Sequence, residues 1–318
     1  MESMQRSELD LAYTLTRLMW KATGKLDQHR LKRQQVPQGV QVYKNIRYRD
    51  DDLPAHVLDV YVPHGTQGLL PTIVNVHGGG WVYGNKELYQ NYGMALSKQG
   101  FAVVNIDYRL APANPHPAQV QDVLWALSWL RVHGSEYHAD PDNVSLCGDS
   151  AGAYISALAA CLCTTPHLAD FYQVKPAYTH FNAIGVCCGV FDMETVFTCR
   201  FPRKKDHIRM VFGRRDYKAS PYYAYSSVLA NMTEQFPPCY ILGTQCDGLC
   251  GESVRMAQRC AQLGIVHHAR IWSKRHKKLS HVFHLNPAFE ESLISMKEMC
   301  AFFRHPQSDP VLLAPPKP

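Results

Sequence analysis

Long apolar segments are missing from this chain of 318 residues. No run approaches the ~20 consecutive apolar residues that cross a bilayer as a helix, so we expect no membrane span. The first residues are polar and charged, and no apolar stretch followed by a small-residue cleavage site comes after them. We therefore expect no signal peptide and a cytoplasmic location.

The sequence also lacks paired thiol motifs and a large excess of one charge. Cys246 and Cys250 bracket Asp247, but no second thiol pair has zinc-ligand spacing, so we expect no metal. Eleven cysteines cannot all pair within one chain, and buried free thiols in a reducing compartment are the favoured interpretation. The net charge is only +6, and the densest basic cluster, 274–278, has no interleaved aromatic residues. We expect no nucleic-acid partner.

Short apolar runs and stretches of helical periodicity alternate along most of the chain. Apolar residues make up 46% and charged residues 19%, which is typical of a globular protein. Two strands at 40–48 and 56–62 predict an antiparallel hairpin. Later apolar runs, separated by helices, predict a mostly parallel sheet with helices on both faces; they are 72–76, 102–106, 143–147, 183–188, 238–243 and 269–272.

A serine stands between two glycines where a predicted strand meets a predicted helix. The segment Gly148-Asp149-Ser150-Ala151-Gly152 follows the run 143–147 and precedes a helix-like run that ends at residue 163. A turn this tight needs flanking residues without side chains, and it leaves the hydroxyl exposed. The pattern predicts that Ser150 is a nucleophile.

A glycine-rich turn, His77-Gly78-Gly79-Gly80-Trp81, follows the strand-like run 72–76. Successive glycines let backbone N–H groups converge on one ligand, and in acyl transfer that ligand is the developing oxyanion. A turn without a ligand is the alternative for this motif alone. The serine turn downstream favours the oxyanion interpretation. We expect the N–H groups of Gly78, Gly79 and Ala151 to form the oxyanion hole.

Three motifs together resemble the hormone-sensitive-lipase-like branch of the α/β-hydrolase fold, which includes bacterial carboxylesterases and acetyl esterases. They are 77–81, 107–112 and 148–152, and the resemblance extends from about Leu58 to the end of the chain. Asp149 is particular to this branch. The resemblance implies an α/β-hydrolase fold and a serine, acid and histidine in that chain order. It also implies that 107–109 brace the oxyanion turn.

The resemblance places the triad acid at Asp247, just after the strand-like run 238–243. Gly248 stands where the family usually has proline. Glu252, on the following helix, is the rival candidate for the triad acid. The alternative for Asp247 is an ordinary surface residue without a catalytic role.

The resemblance places the base at His281, where Ser280-His281-Val282-Phe283 matches the family's His-Gly-Phe with valine in place of glycine. His284 is the main rival. We expect Ser150, Asp247 and His281 to form a catalytic triad.

The remaining segments predict a cap, a main domain and a tail. We interpret 1–36, with its amphipathic helix at 7–22, and an insertion at 192–236 as a cap on an α/β-hydrolase domain spanning 37–305. A surface excursion without a role in binding is the alternative for the insertion. We expect a low-order tail at 306–318. Trp81, Tyr83 and Tyr154 are candidate pocket residues, with core packing an equal alternative for each.

The resemblance implies a carboxylesterase acting on short-acyl or aryl esters, without a cofactor. An amidase such as a formamidase, or a lactonase, would use the same triad, and a non-catalytic small-molecule receptor is the rival from another class. A true lipase is disfavoured because no long exposed apolar helix is predicted for interfacial docking. The sequence leaves open whether the chain forms a homo-oligomer.

Overall fold

The computed structural model describes residues 2–200 and 203–307, with side chains from residue 14 onward. The predicted low-order tail at 306–318 therefore lies outside the described residues beyond residue 307. Within the described ranges, no helix is both long enough and apolar enough to cross a membrane.

Eight strands in the described part of the chain form a single sheet. They are β1 (Val40–Arg47), β2 (Val57–Pro63), β3 (Leu70–Val76), β4 (Ala102–Ile106), β5 (Ala139–Asp149), β6 (Ala183–Cys187), β7 (Cys239–Thr244) and β8 (His267–Trp272). Their order across the sheet is β1-β2-β4-β3-β5-β6-β7-β8. Strand β2 pairs antiparallel with β1 and β4, and all other neighbours pair parallel.

Helices separate the parallel strands. They are α1 (Glu2–Arg33), α2 (Gln90–Ser97), α3 (Ala118–His133), α4 (Ala151–Thr164), α5 (Pro166–Tyr172), α6 (Lys204–Val211), α7 (Val228–Asn231), α8 (Cys250–Gln262) and α9 (Glu290–Arg304). Single 3-10 turns lie at Lys86–Tyr89, Gly134–Tyr137, Thr195–Thr198, Tyr217–Ala219, Tyr223–Tyr225 and Phe283–Leu285.

The predicted fold class is confirmed. Strands β4, β6 and β7 are buried along their whole length, as expected of parallel strands covered on both faces. The predicted hairpin is present as β1 and β2, which pair from Val40 opposite Pro63 to Arg47 opposite Val57. Between β6 and β7, the residues that the structure describes form helices and 3-10 turns without a strand.

The N-terminal helix is longer than the sequence pattern predicts. The periodic apolar positions end near residue 22, but α1 continues to Arg33 through a basic stretch. Lysine, leucine, glutamine and arginine are strong helix formers, so propensity carries the helix past the end of the apolar pattern. Helix α5 was not predicted, although Pro166 at its first position is a typical start signal.

The carboxyl ends of four strands bring the predicted site residues to one edge of the sheet. The glycine-rich turn follows β3, Ser150 follows β5, Asp247 follows β7 and His281 follows β8. Open α/β sheets place their ligands at this edge.

The segment after β4 braces the glycine-rich turn. The Tyr108 hydroxyl donates to the carbonyl of His77 at 2.8 Å. Asp107 accepts from the Lys86 N–H at 2.6 Å. Arg109 donates from both its backbone and its guanidinium to Asp122 on α3, at 2.6–3.0 Å, and the Asp122 side chain is fully buried. Asp107 and Arg109 therefore anchor the segment after β4, and Tyr108 between them holds the carbonyl of His77 at the start of the glycine-rich turn.

We expect Asp122→Ala to lower the free energy of unfolding by about 3–5 kcal/mol, because it leaves the Arg109 guanidinium without its buried counter-charge. The matched control is Asp142→Ala, which removes the partner of Arg131 at a site where the Asp142 side chain is 78% exposed. That change should leave the free energy of unfolding nearly unchanged, because water screens this exposed pair. Urea unfolding followed by circular dichroism measures both; equal losses would contradict the assigned role of Asp122.

Candidate active site

Ser150 lies at a sharp turn between β5 and α4. Its backbone φ is +52°, in the left-handed region that residues with side chains rarely adopt. A Cβ on Gly152 would overlap the carbonyl oxygen of Val76, and a Cβ on Gly148 would overlap the backbone of Gly152. The turn can therefore pass against the end of β3 only with glycine at both flanking positions.

Strained backbone is concentrated around this turn. Of the eight non-glycine residues with positive φ in the described ranges, four lie beside the site: Trp81, Ser150, Cys188 and Val282. Val282 has φ +52°, which explains why the resembling family has glycine there. Such strain is typical of functional sites, where the surrounding structure holds the backbone in place.

Ser150, His281 and Asp247 form one hydrogen-bonded chain. The Oγ of Ser150 lies 3.0 Å from Nε2 of His281. The other ring nitrogen, Nδ1, lies 2.7 Å from Oδ2 of Asp247. With Nδ1–H donating to Asp247, Nε2 is left to accept the hydroxyl proton of Ser150. The second carboxylate oxygen of Asp247 accepts from the N–H of Leu249 at 2.9 Å, which fixes its orientation.

The surroundings of His281 favour its protonated form. Burial alone would lower the pKa of His281, but the hydrogen bond and charge of Asp247, together with the charge of Asp149, outweigh it and raise the pKa. The Asp247 side chain is only 5% exposed, so its charge is weakly screened.

Neither rival residue, His284 or Glu252, takes part in the hydrogen bonds that join Ser150, His281 and Asp247. His284 is buried with its ring edge against Tyr92, and burial lowers the pKa of His284 to about 3. Glu252 is fully buried, accepts from the N–H groups of Phe191 and Asp192, and pairs with Arg255. Neither side chain contacts Ser150 by a hydrogen bond among the described residues.

The glycine-rich turn differs from the sequence expectation at one donor. The N–H of Gly78 donates to the Tyr89 hydroxyl at 2.9 Å, so it is not directed at a ligand of Ser150. The N–H groups of Gly79 and Gly80 donate to no backbone acceptor in the described part of the chain. Ala151 begins α4, so its N–H has no partner within the helix. Gly79, Gly80 and Ala151 are thus the available donors.

Tyr89 links the glycine-rich turn to the serine turn. Its hydroxyl accepts from Gly78 and donates to Oδ2 of Asp149 at 3.0 Å. Burial raises the pKa of Asp149 to about 6, against the hydrogen bond from Tyr89, which lowers it. No motif marked Tyr89, because its partners lie 11 and 60 positions away in sequence.

A cavity of about 250 Å³ opens beside Ser150 and His281. One wall belongs to α1, which contributes Trp20, Thr23, Asp27 and Arg30. The Trp20 ring stacks on Tyr83 with centroids 4.8 Å apart, and the Tyr83 hydroxyl donates to Asp27 at 3.0 Å. Sequence reasoning missed these four residues; the spacing of positions 16, 20, 23, 27 and 30 along one helical face is the signal that was available.

Of the three predicted pocket residues, only Tyr83 lines this cavity. Trp81 and Tyr154 are 4% and 1% exposed and pack edge to face with centroids 5.4 Å apart. The Tyr154 hydroxyl donates to the carbonyl of Ser226 at 2.8 Å. Their assignment to the pocket is corrected to the core, because each ring is enclosed by its neighbours.

One group of side chains could meet at a metal ion. Cys188, Asp247 and His281 place one ligand atom each within 4.8 Å of one another. Burial and the neighbouring Asp247 raise the pKa of the Cys188 thiol well above its ordinary value. A metal bound there would need the thiolate and would replace the hydrogen bond between Asp247 and His281.

Residues 58–258 match the family model described as BD-FAE. The chain belongs to the BD-FAE family. This match and the sheet order place it in the hormone-sensitive-lipase-like branch of the α/β-hydrolases, as the three sequence motifs predicted.

Curated relatives of this BD-FAE chain are named as ester hydrolases. It is 30% identical over 184 residues to the probable carboxylic ester hydrolase LipM of Mycobacterium tuberculosis. The aligned residues cover 57% of this chain and 42% of LipM. This chain is 39% identical over 110 residues to the carboxylesterase NlhH of the same organism, which is 34% of each chain. The BD-FAE chain thus spans less than half the length of these relatives.

Solved structures extend the similarity over nearly the whole BD-FAE chain. Esterase B from Lactobacillus rhamnosis (HN001) superposes with a TM-score of 0.88 at 24% identity, covering 94% of this chain and 96% of that one. Esterase B inhibited by a C4-C4 tributyrin phosphonate superposes with a TM-score of 0.83 at 25% identity, covering 93% and 95%.

We expect Asp247→Asn to lower the pKa of His281 to below its ordinary value of about 6.5, because burial then acts with less opposition. Nuclear magnetic resonance titration of the histidine ring measures the pKa directly. The control is Glu291→Gln, which removes the partner of another histidine, His276. It should leave the His281 titration unchanged, and an unaltered pKa of His281 in the Asp247 variant would refute the assigned pairing.

Proposed function

We propose that this chain is a serine carboxylesterase that cleaves carboxylic esters through an acyl-enzyme. The observation that carries the proposal is the hydrogen-bonded chain from Ser150 through His281 to Asp247, which opens on the cavity beside α1. The names of the relatives LipM and NlhH support the same chemistry.

Each residue has one role in the proposed reaction. His281 takes the proton from Ser150 as the hydroxyl oxygen attacks the acyl carbon, while Asp247 holds the imidazole in the tautomer with Nδ1–H. The N–H groups of Gly79, Gly80 and Ala151 stabilise the oxyanion. His281 then gives the proton to the leaving alcohol. Water, deprotonated by His281, attacks the acyl-enzyme and releases the acid and Ser150.

The base must be neutral to accept the serine proton, so activity depends on the pKa of His281. Because that pKa is raised, the rate should be low in acid and rise with pH through a midpoint above about 6.5. Asp247→Asn should move this acid limb to lower pH while it reduces the maximal rate.

A short-acyl preference follows from the cavity and from one structural neighbour. The cavity of about 250 Å³ is closed on one side by α1, which limits the length of chain that fits beside Ser150. Esterase B has been captured with a tributyrin phosphonate, a mimic of a C4 ester. This inhibitor supports the proposal of a small acyl group for the present chain.

Helices α1 and α6 form the proposed cap. The indole N–H of Trp20 donates to Nε2 of His207 on α6 at 3.0 Å, and the Arg203 side chain beside α6 donates to Thr16 at 3.1 Å.

The eleven cysteines are free, and nine of them are buried, which fits the proposed cytoplasmic location.

Ser150→Ala should abolish ester hydrolysis, with a fall in kcat on the order of 10⁶-fold, because no other group supplies the nucleophile. Release of p-nitrophenol from p-nitrophenyl acetate, including any initial burst, measures the hydrolysis. Circular dichroism shows whether the fold is intact. Ser135→Ala, at an exposed turn, is the matched control and should keep full activity. Turnover in the Ser150 variant would overturn the proposal, and a wild-type protein without a burst would favour a receptor.

Among p-nitrophenyl esters from acetate to decanoate, kcat/KM should be highest for acetate and butyrate and should fall with longer chains. Trp20→Ala enlarges the cavity and should move the optimum toward longer acyl groups. Tyr225→Ala, which removes an aromatic ring exposed outside the cavity, should not. Rates that rise steadily toward decanoate in the wild type would contradict the short-acyl assignment.

A further inference from the structure

Helix α1 has an inner face that contacts the rest of the protein through three hydrogen-bonded side chains. Thr16, Trp20 and Asp27 lie on this face and bond to Arg203, His207 and Tyr83 respectively. These contacts hold the helix across the cavity that contains Ser150, so its opposite face points away from the body of the protein.

The outer face of α1 carries an exposed apolar stripe, defined here as Leu15, Leu18 and Leu26. Their exposed fractions are 42%, 54% and 71%. Intervals of three and eight residues keep all three on one side of a helix. Every other helix in the described ranges carries at most one exposed large apolar side chain. The sequence analysis placed the amphipathic helix at 7–22 in a cap and predicted no long exposed apolar helix, so this stripe was not expected.

Cations flank the apolar stripe. Arg17, Lys21, Lys25, Lys32 and Arg33 are all exposed. The single acidic residue between positions 14 and 33 is Asp27, which is turned inward to Tyr83 and Arg30. The outer face of this part of α1 therefore combines leucine with uncompensated positive charge.

We propose that the outer face of α1 docks on the surface of a bilayer that contains anionic lipid. Leucine side chains enter the boundary between headgroups and acyl chains, and lysine and arginine lie at the level of the anionic headgroups. A nucleic acid would use the cations but would leave the three leucines in water. The combination thus fits a lipid surface better.

Docking in this orientation places the catalytic cavity close to the lipid. An open groove of about 660 Å³ runs along α1 and is lined by Lys21, Lys25 and Lys32. It shares Tyr83, Gly84 and Leu88 with the cavity that contains Ser150. A lipid-borne ester could pass from the groove to the serine; this consequence rests on the proposed function, whereas the docking itself does not.

Vesicle cosedimentation of the full chain tests the docking. We expect a partition coefficient at least roughly tenfold higher on vesicles of equimolar phosphatidylcholine and phosphatidylglycerol than on phosphatidylcholine alone, with binding that weakens as salt is added. Ser150→Ala should bind as the wild type does, so a loss of hydrolysis and a loss of docking remain distinguishable.

Paired variants identify the surface. Leu18→Asp with Leu26→Asp, and Lys21→Glu with Lys25→Glu, should each reduce binding to the anionic vesicles by roughly tenfold or more. All four positions are exposed, so circular dichroism and thermal unfolding should match the wild type. The control pair is Leu293→Asp with Lys297→Glu on α9, where Leu293 is 43% exposed. This control should bind as the wild type does.

Several results would overturn the proposal. They are equal binding to both vesicle types, binding that the α1 variants leave intact, and an equal loss in the α9 control. A concentration-dependent dimer that Leu18→Asp with Leu26→Asp abolishes would assign the stripe to a second copy of the chain. Binding to duplex DNA that depends on Lys21 and Lys25 but not on the leucines would assign the cations to nucleic acid.

Discussion

At the end of β5, the backbone turns through Ser150 in a left-handed conformation and passes directly against the carbonyl of Val76 at the end of β3. This close approach brings the serine hydroxyl beside the glycine-rich turn that follows β3. The parallel register of β3, β5, β6 and β7 then decides what else can reach the hydroxyl, since loops from the same strand ends converge there. The nucleophile and its surroundings thus depend on two glycines that leave room for the backbone.

A second layer of interactions keeps this arrangement in place. Tyr89 joins Gly78 to Asp149, Tyr108 holds the carbonyl of His77, and Asp247 orients His281. Most of these groups are buried, so their hydrogen bonds are weakly screened by water and the loss of one partner leaves another unsatisfied. The same burial sets the electrostatics, raising the pKa of Asp149 while the charge of Asp247 raises the pKa of His281.

Helix α1 connects the chemistry to the surroundings of the protein. Its inner face supplies one wall of the cavity through Trp20, Asp27 and Arg30, and its outer face presents leucine and uncompensated cations. A single helix therefore forms one wall of the cavity and, in the proposed docking, brings that cavity close to a lipid surface. The low overall hydrophobicity of the chain is compatible with the proposed docking, because binding at a bilayer surface needs only one helix face that carries apolar side chains and cations.

Local pattern was sufficient for the sheet and for the tight turn at Ser150, because strand alternation and tight turns are encoded by neighbouring residues. Asp247 and His281 were expected from the resemblance to a family, not from local pattern. Nonlocal contacts decided the rest. The N–H of Gly78 donates to the hydroxyl of Tyr89, and packing encloses Trp81 and Tyr154. The contacts that join His281 to Ser150 and Asp247, and the face that α1 turns inward, likewise follow from side-chain directions that are set only when distant strands and helices pack together.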